Sequence, residues 1–123
     1  MSKIVTAINV MISNPELITN VVQGDLDTEC FFIYDKKHSW SIIENKEGKY
    51  FLHYYPGNPD VNSLASIPGE HWHEADINSV AYTSEVLGTK EALDSLKELN
   101  SIVREKLYGM DDVLDDIINS GKF

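Results

Sequence analysis

The first 24 residues carry apolar positions at helical spacing, interrupted once by Asn14 and Pro15. The first run comprises Ile4, Ala7, Ile8, Met11 and Ile12. It predicts an amphipathic helix that Ser2 can cap. Asn14 is placed to cap a new helix, with Pro15 at its first position. The second run comprises Leu17, Ile18, Val21 and Val22. It predicts a second short helix that ends at Gly24.

The middle of the chain predicts an antiparallel sheet. Residues 29–35, 39–45 and 49–55 are rich in aromatic and β-branched side chains, and the last two alternate between apolar and polar positions. Short polar turns connect the three segments, so the strands should form a meander. Alternation in the third segment places Tyr54 and Tyr55 on opposite faces of the sheet.

The chain between this meander and the final third has a weaker pattern. Residues 56–70 hold three of the four prolines, and we expect a long loop there. Residues 71–82 predict one or two further strands, because apolar and polar side chains alternate around Trp72 and because Val80 and Tyr82 follow.

The final third is helical in pattern. Thr89 is a candidate N-cap for a stripe formed by Ala92, Leu96, Leu99, Val103 and Leu107. Gly109 interrupts this stripe, and Gly121 closes a shorter terminal helix. The apolar positions of the terminal helix are Met110, Val113, Leu114, Ile117 and Ile118. Because helices and strands segregate, the sequence predicts one α+β domain over residues 1–123, with N-terminal helices, a three- to five-stranded antiparallel meander and C-terminal helices packed on the sheet.

Composition limits the classes of partner. The chain has 123 residues, with 20 Asp and Glu against 10 Lys and Arg, which gives a formal charge of −10. This charge argues against binding to nucleic acid or to an anionic membrane surface. The single cysteine, Cys30, cannot form an intrachain disulfide, and neither a signal peptide nor an apolar run of membrane-spanning length is evident. We therefore expect a cytoplasmic protein.

The acidic residues are unevenly distributed. Residues 50–89 contain five acids and no Lys or Arg, and three of these acids, Glu70, Glu74 and Asp76, lie close together in sequence. The terminal helix adds Asp111, Asp112, Asp115 and Asp116. These four fall within about 140° of arc, opposite the apolar stripe. They form either an ordinary solvated face or a binding surface for a cationic partner.

Two clusters could carry chemistry. His71 and His73 would point the same way on a strand, and with Glu74 they could bind a metal ion, although a site needs further ligands and an ordinary polar loop is the alternative. Cys30 could be a nucleophile, but its neighbours are apolar and favour an inert core thiol. No phosphate-binding glycine loop, nucleophile elbow or zinc-protease helix is present, so we expect no enzymatic activity and no cofactor.

The aromatic side chains have two interpretations as well. Most of them should fill the core. Tyr54, Tyr55 and Trp72 lie at a strand end or in a loop, where an aromatic residue can anchor a protein interface.

The chain resembles the small, acidic, cytoplasmic immunity proteins that accompany bacterial polymorphic toxins. The likeness covers size, charge, the helix–meander–helix order and the stretch Tyr34-Asp35-Lys36-Lys37-His38-Ser39-Trp40-Ser41-Ile42, followed by Tyr50-Phe51-Leu52 and Tyr55-Pro56-Gly57. The resemblance implies a protein without activity of its own that binds one cognate toxin domain and blocks it. The toxin's surface would be basic, since many such domains act on nucleic acid or nucleotides.

Two other classes stay open. Secretion chaperones for type III effectors are similarly small, acidic and α+β, and they dimerise. A small metal-binding enzyme would use His71, His73 and Glu74. The oligomeric state separates the chaperone from the monomeric alternatives, and metal content tests the enzyme.

Overall fold

The computed structural model describes residues 2–24, 28–67 and 77–121. It has helices at both ends and a five-stranded antiparallel sheet, which confirms the predicted α+β class. The strands are β1 (Ile18–Gln23), β2 (Glu29–Tyr34), β3 (His38–Glu44), β4 (Tyr50–Tyr55) and β5 (Val80–Thr83). The helices are α1 (Lys3–Ser13), α2 (Val61–Ala65), α3 (Ser84–Leu87), α4 (Lys90–Leu107) and α5 (Met110–Ser120), with a 3₁₀ turn at Pro15–Leu17.

The described strands follow one another across the sheet in chain order, from β1 to β5. The three strands predicted from the sequence form its centre, with Phe32 opposite Trp40 and Trp40 opposite Tyr54. β5 extends the meander by pairing Tyr82 with Leu52. The described part of the ambiguous stretch therefore contributes one strand.

The second predicted helix is wrong. After the 3₁₀ turn, residues 18–23 form β1, which pairs with β2 and has a bulge between Thr19 and Val22. Asn20 has a φ of 56°, the left-handed conformation, within this bulge. The bulge adds a residue to the strand, so Ile18 and Val21 contact the same core although they are three residues apart. The spacing that suggested a helix is therefore the spacing of a bulged strand.

The two faces of the sheet bury different clusters. The larger core lies against α1 and α4, and it consists of Ile8, Met11, Ile18, Cys30, Phe32, Ile42, Tyr50, Leu52, Leu96, Leu99 and Val103. The smaller core on the opposite face combines Phe31 and Tyr55 with Val61 and Leu64 of α2. α2 interrupts the expected loop over 56–70, and Asp60 caps it by accepting from the Asn62 amide at 3.4 Å.

Gly24 lies close to side chains of β2 at the end of β1. A Cβ at this position would lie 2.8 Å from both Glu29 Oε1 and Phe31 Cε2. These distances are shorter than van der Waals contact. The absence of a side chain at Gly24 therefore lets the backbone approach the smaller core. The sequence analysis had predicted that Gly24 ends a helix.

The C-terminal helices have different environments. α4 begins at the predicted cap, where Thr89 Oγ1 accepts from the Ala92 amide at 3.1 Å, and its apolar stripe packs on the sheet. α5 starts after Gly109, which has a φ of 62°, and lies against the end of α4. No residue of α5 is buried. The fold thus holds α5 at the surface rather than over the core.

Candidate functional site

α5 exposes both of its faces. Its apolar side chains Val113, Leu114, Ile117 and Ile118 are 43%, 48%, 59% and 59% exposed. Its four aspartates are exposed as well. Apolar side chains grouped on one exposed helix face are typical of an interaction surface. The acidic face and the apolar stripe of α5 are therefore accessible together.

Among the described residues, the carboxylates of α5 form no ion pair. In the part of the chain that the structure describes, no Lys, Arg or His nitrogen lies within 4.0 Å of an α5 carboxylate. Asp111 and Asp112 lie in the first turn, where the helix dipole stabilises negative charge. Asp115 and Asp116 lie beyond that turn and gain less from the dipole.

A groove of about 780 Å³ lies between β1, the 3₁₀ turn and the junction of α4 with α5. Its apolar lining residues are Ile18, Val21, Ile102 and Met110. Its charged lining residues, among those that the structure describes, are the acids Glu16, Glu105, Asp111 and Asp112 and the cation Lys106. The sequence did not indicate this groove, because it predicted a helix from Pro15 to Gly24 in place of the strand that forms one wall.

Tyr55 was predicted to be an interface anchor, and the structure does not place it on the surface. It is 2% exposed, and its hydroxyl shares a hydrogen bond of 2.8 Å with Ser41 Oγ. Burial raises the pKa of Tyr55 to about 12. Its ring packs against Phe31 with the ring centres 5.9 Å apart. Tyr55 is therefore a core residue with a satisfied hydroxyl.

The same face of the sheet carries a histidine beside this pair. His53 lies opposite Ser41 in the β3–β4 register, and its ring centre is 6.5 Å from that of Tyr55. Burial lowers the pKa of His53, so the neutral imidazole is favoured. The hydrogen-bond partner of the Ser41 hydroxyl is Tyr55. The arrangement therefore supports packing and does not form a serine–histidine nucleophile.

Cys30 is fully buried in the larger core. Desolvation by burial raises the pKa of its thiol, and the charge of Arg104 opposes this effect. A buried, protonated thiol is a poor nucleophile. The structure therefore favours the core interpretation of Cys30.

The candidate metal ligands His71, His73 and Glu74 lie outside the described residues, as do Glu70, Trp72 and Asp76. Among residues 2–24, 28–67 and 77–121, no group of three or more His, Cys, Asp or Glu side chains could hold a metal ion.

A second groove of about 470 Å³ lies between α1 and the sheet, and its described lining contains no Asp, Glu, Lys or Arg. Trp40 and Tyr54 meet there with ring centres 5.0 Å apart, and Val10 and Val80 are exposed at its sides. Strand alternation had placed Tyr54 on this face, but only the register of β3, β4 and β5 brings the aromatic rings together.

No family model, curated protein or solved structure matches this chain. Within the described residues, no helix is both long and apolar enough to cross a membrane.

Proposed function

We propose that this protein is a non-enzymatic binding protein of the bacterial cytoplasm, an immunity protein that inhibits a cognate toxin by holding it on α5. The observation that carries the proposal is the exposure of α5 on both faces. Four apolar side chains and four aspartates are accessible on one helix that contributes nothing to the core.

The apolar stripe supplies the binding energy in this proposal. Removing an Ile, Leu or Val side chain from water contributes about 1.5–3 kcal/mol when burial is complete. Roughly half of this burial energy is still available on the stripe of α5, because its residues are 43–59% exposed. A partner that covers the stripe would gain this energy, and the helix-in-groove arrangement is a common way to do so.

The acidic face selects the partner. Uncompensated carboxylates attract a basic surface and accelerate its association, and this effect weakens as salt is added. A toxin domain that acts on nucleic acid or nucleotides needs a basic active site to hold phosphate. An acidic helix that occupies or covers such a site would exclude the substrate.

Co-expression tests the proposal. The candidate toxin encoded beside this chain is expressed in a bacterial host with the wild-type protein, with Asp115→Lys plus Asp116→Lys, or with Asp94→Lys plus Glu98→Lys. The two double variants change the charge equally on exposed helical positions, and the substitutions at Asp115 and Asp116 leave the first turn of α5 intact.

We expect wild type and the α4 control to restore growth and the α5 variant to fail. The proposal is wrong if the neighbouring gene product is not toxic. It is also wrong if a variant that combines the two α5 charge reversals with an alanine-substituted apolar stripe still protects fully.

A dimeric secretion chaperone is the second candidate, because the exposed α5 stripe could also be covered by a second copy of the chain. Sedimentation equilibrium separates the two functions. A dimer that Ile117→Asp converts to a monomer would favour the chaperone, and a monomeric wild type would argue against it.

A further inference from the structure

We propose that the groove between β1 and the α4–α5 junction binds a cationic amphipathic helix of the partner protein, with Lys or Arg side chains as its anchors. The inference rests on the proposed function for the class of partner. It adds the location of the anchor and the kind of segment that fits.

The lining of the groove matches the two parts of a long cationic side chain. Val21, Ile102 and Met110 are partly exposed and offer apolar surface on which an aliphatic stem can lie. Carboxylates come from both walls, with Glu16 on the strand side and Glu105 on the helix side. Lys and Arg bury their stems and keep the charged end at the rim, so this combination suits them better than it suits an acidic or a purely apolar segment.

The carboxylates of the groove are available for such a partner. Within the described ranges, no Lys, Arg or His nitrogen lies within 4.0 Å of Glu16, Glu105, Asp111 or Asp112. Of the described residues that line the groove, Lys106 alone is cationic. The groove therefore holds an excess of negative charge that its own residues do not neutralise.

The shape of β1 favours a helix over an added strand. β1 is at one end of the described strand order, but it is bulged between Thr19 and Val22, and Asn20 is in the left-handed conformation. A bulge interrupts the regular row of backbone groups that strand addition needs. A helix uses side chains alone and is unaffected by the irregular backbone.

The groove is continuous with the exposed face of α5. Met110 and Asp111 line the groove and also form the first turn of α5. A helix of three or four turns is roughly 16–22 Å long, which is enough to start in the groove and reach the middle of α5. One partner helix could thus contact the anchor site and the α5 stripe together.

Peptide binding tests the inference directly. The probes are three synthetic peptides of equal length: a Leu/Lys/Arg amphipathic helix, the same helix with Glu in place of the basic residues, and a scrambled basic peptide without an apolar face. Binding is followed by fluorescence anisotropy at low and at physiological salt. Amide chemical shifts of the isotope-labelled protein locate the bound peptide.

We expect only the amphipathic basic peptide to bind with saturation, with shifts centred on Val21, Ile102 and Met110. Glu16→Gln plus Glu105→Gln should weaken binding by about three- to tenfold, since each exposed charge pair contributes modestly. The matched control, Glu91→Gln plus Glu98→Gln on exposed positions of α4, should change affinity less than twofold.

Absence of saturable binding, equal binding of the acidic peptide, or an affinity that Glu16→Gln plus Glu105→Gln leaves unchanged would overturn the inference. The proposed function fails separately. If the groove variant still protects against the toxin and the α5 variant does not, only the groove is excluded. If the peptide occupies the groove and the chain protects against no toxin, only the immunity function is excluded.

Discussion

Replacing the apolar stripe of α5 with alanine should destabilise the fold no more than a single truncation in the core does. The variant carries Val113→Ala, Leu114→Ala, Ile117→Ala and Ile118→Ala. Each of the four residues is already 43–59% exposed, so alanine removes only about half of the buried surface that the same change would remove in the core. Alanine also has a higher helix propensity than Val or Ile, by up to about 0.7 kcal/mol per position. This gain offsets part of the lost burial, and we expect the free energy of unfolding to fall by no more than about 2 kcal/mol in total.

A single substitution in α4 provides the comparison. Leu99 is 0% exposed and belongs to the larger core, and Leu99→Ala should cost about 2–5 kcal/mol because it leaves a cavity. Urea denaturation followed by circular dichroism and tryptophan fluorescence measures both variants. In thermal unfolding, a loss of 1 kcal/mol lowers the Tm of a chain of this size by about 2–8 °C.

The result also tests the reason for assigning function to α5. If the fourfold alanine variant loses more than about 2 kcal/mol, the stripe is buried in the folded protein and α5 is a structural helix. If stability is retained and protection against the toxin is lost, the stripe serves binding. The two measurements on one variant therefore separate packing from recognition.

Three further predictions concern the sheet. Burial raises the pKa of Tyr55 to about 12, so the folded protein holds the hydroxyl proton more tightly than the unfolded chain does, and stability is lost as the pH rises from about 10 to about 12. Urea unfolding across this range should show a shallower decline in stability for Tyr55→Phe than for wild type. An equal decline in the two proteins would contradict this prediction. Because burial lowers the pKa of His53, the stability that its neutral form contributes is present above pH about 6.5 and is lost on acidification. His53→Gln should therefore reduce the loss of stability between pH about 7 and about 5 in urea unfolding, and an unchanged loss would speak against this explanation. Gly24→Ala should lower the free energy of unfolding by about 1–3 kcal/mol in chemical denaturation, because the added Cβ would lie 2.8 Å from its nearest neighbours. Gly121→Ala is the control and should lower it much less, since the nearest atom to its added Cβ is 3.7 Å away.

Local pattern was sufficient for the regular elements. The strands that became β2, β3 and β4 were indicated by their aromatic and β-branched side chains, alternation and short turns. α4 was indicated by its apolar stripe and its Thr89 cap, which forms the expected hydrogen bond. Apolar periodicity and helix caps depend on residues that are close together in sequence, so they can be recognised without knowledge of the fold.

β1 and α2 were missed for different physical reasons. The bulge in β1 shifts its register, so the strand shows the apolar spacing of a helix. α2 is only five residues long, and its apolar residues Val61 and Leu64 are stabilised by packing on Phe31 and Tyr55 rather than by helix propensity.

Some residues of the candidate site could be predicted from the sequence and others could not. The four aspartates of α5 were identified from the sequence, since charge and helical spacing are local properties. Glu16, Ile18 and Glu105 were not identified, because they come from separate elements that meet only in the folded chain. Tyr55 was assigned to the surface from its place at a strand end, and α2 and Phe31 cover it.

The sequence by itself determined the α+β class, the central meander, the long C-terminal helix and the acidic face of α5. The tertiary structure decided which surfaces are covered. The apolar stripe of α5 has the same periodicity as that of α4, but only α4 lies against the sheet and is buried. Periodicity shows that a helix has an apolar face, whereas burial depends on which elements the fold brings against that face.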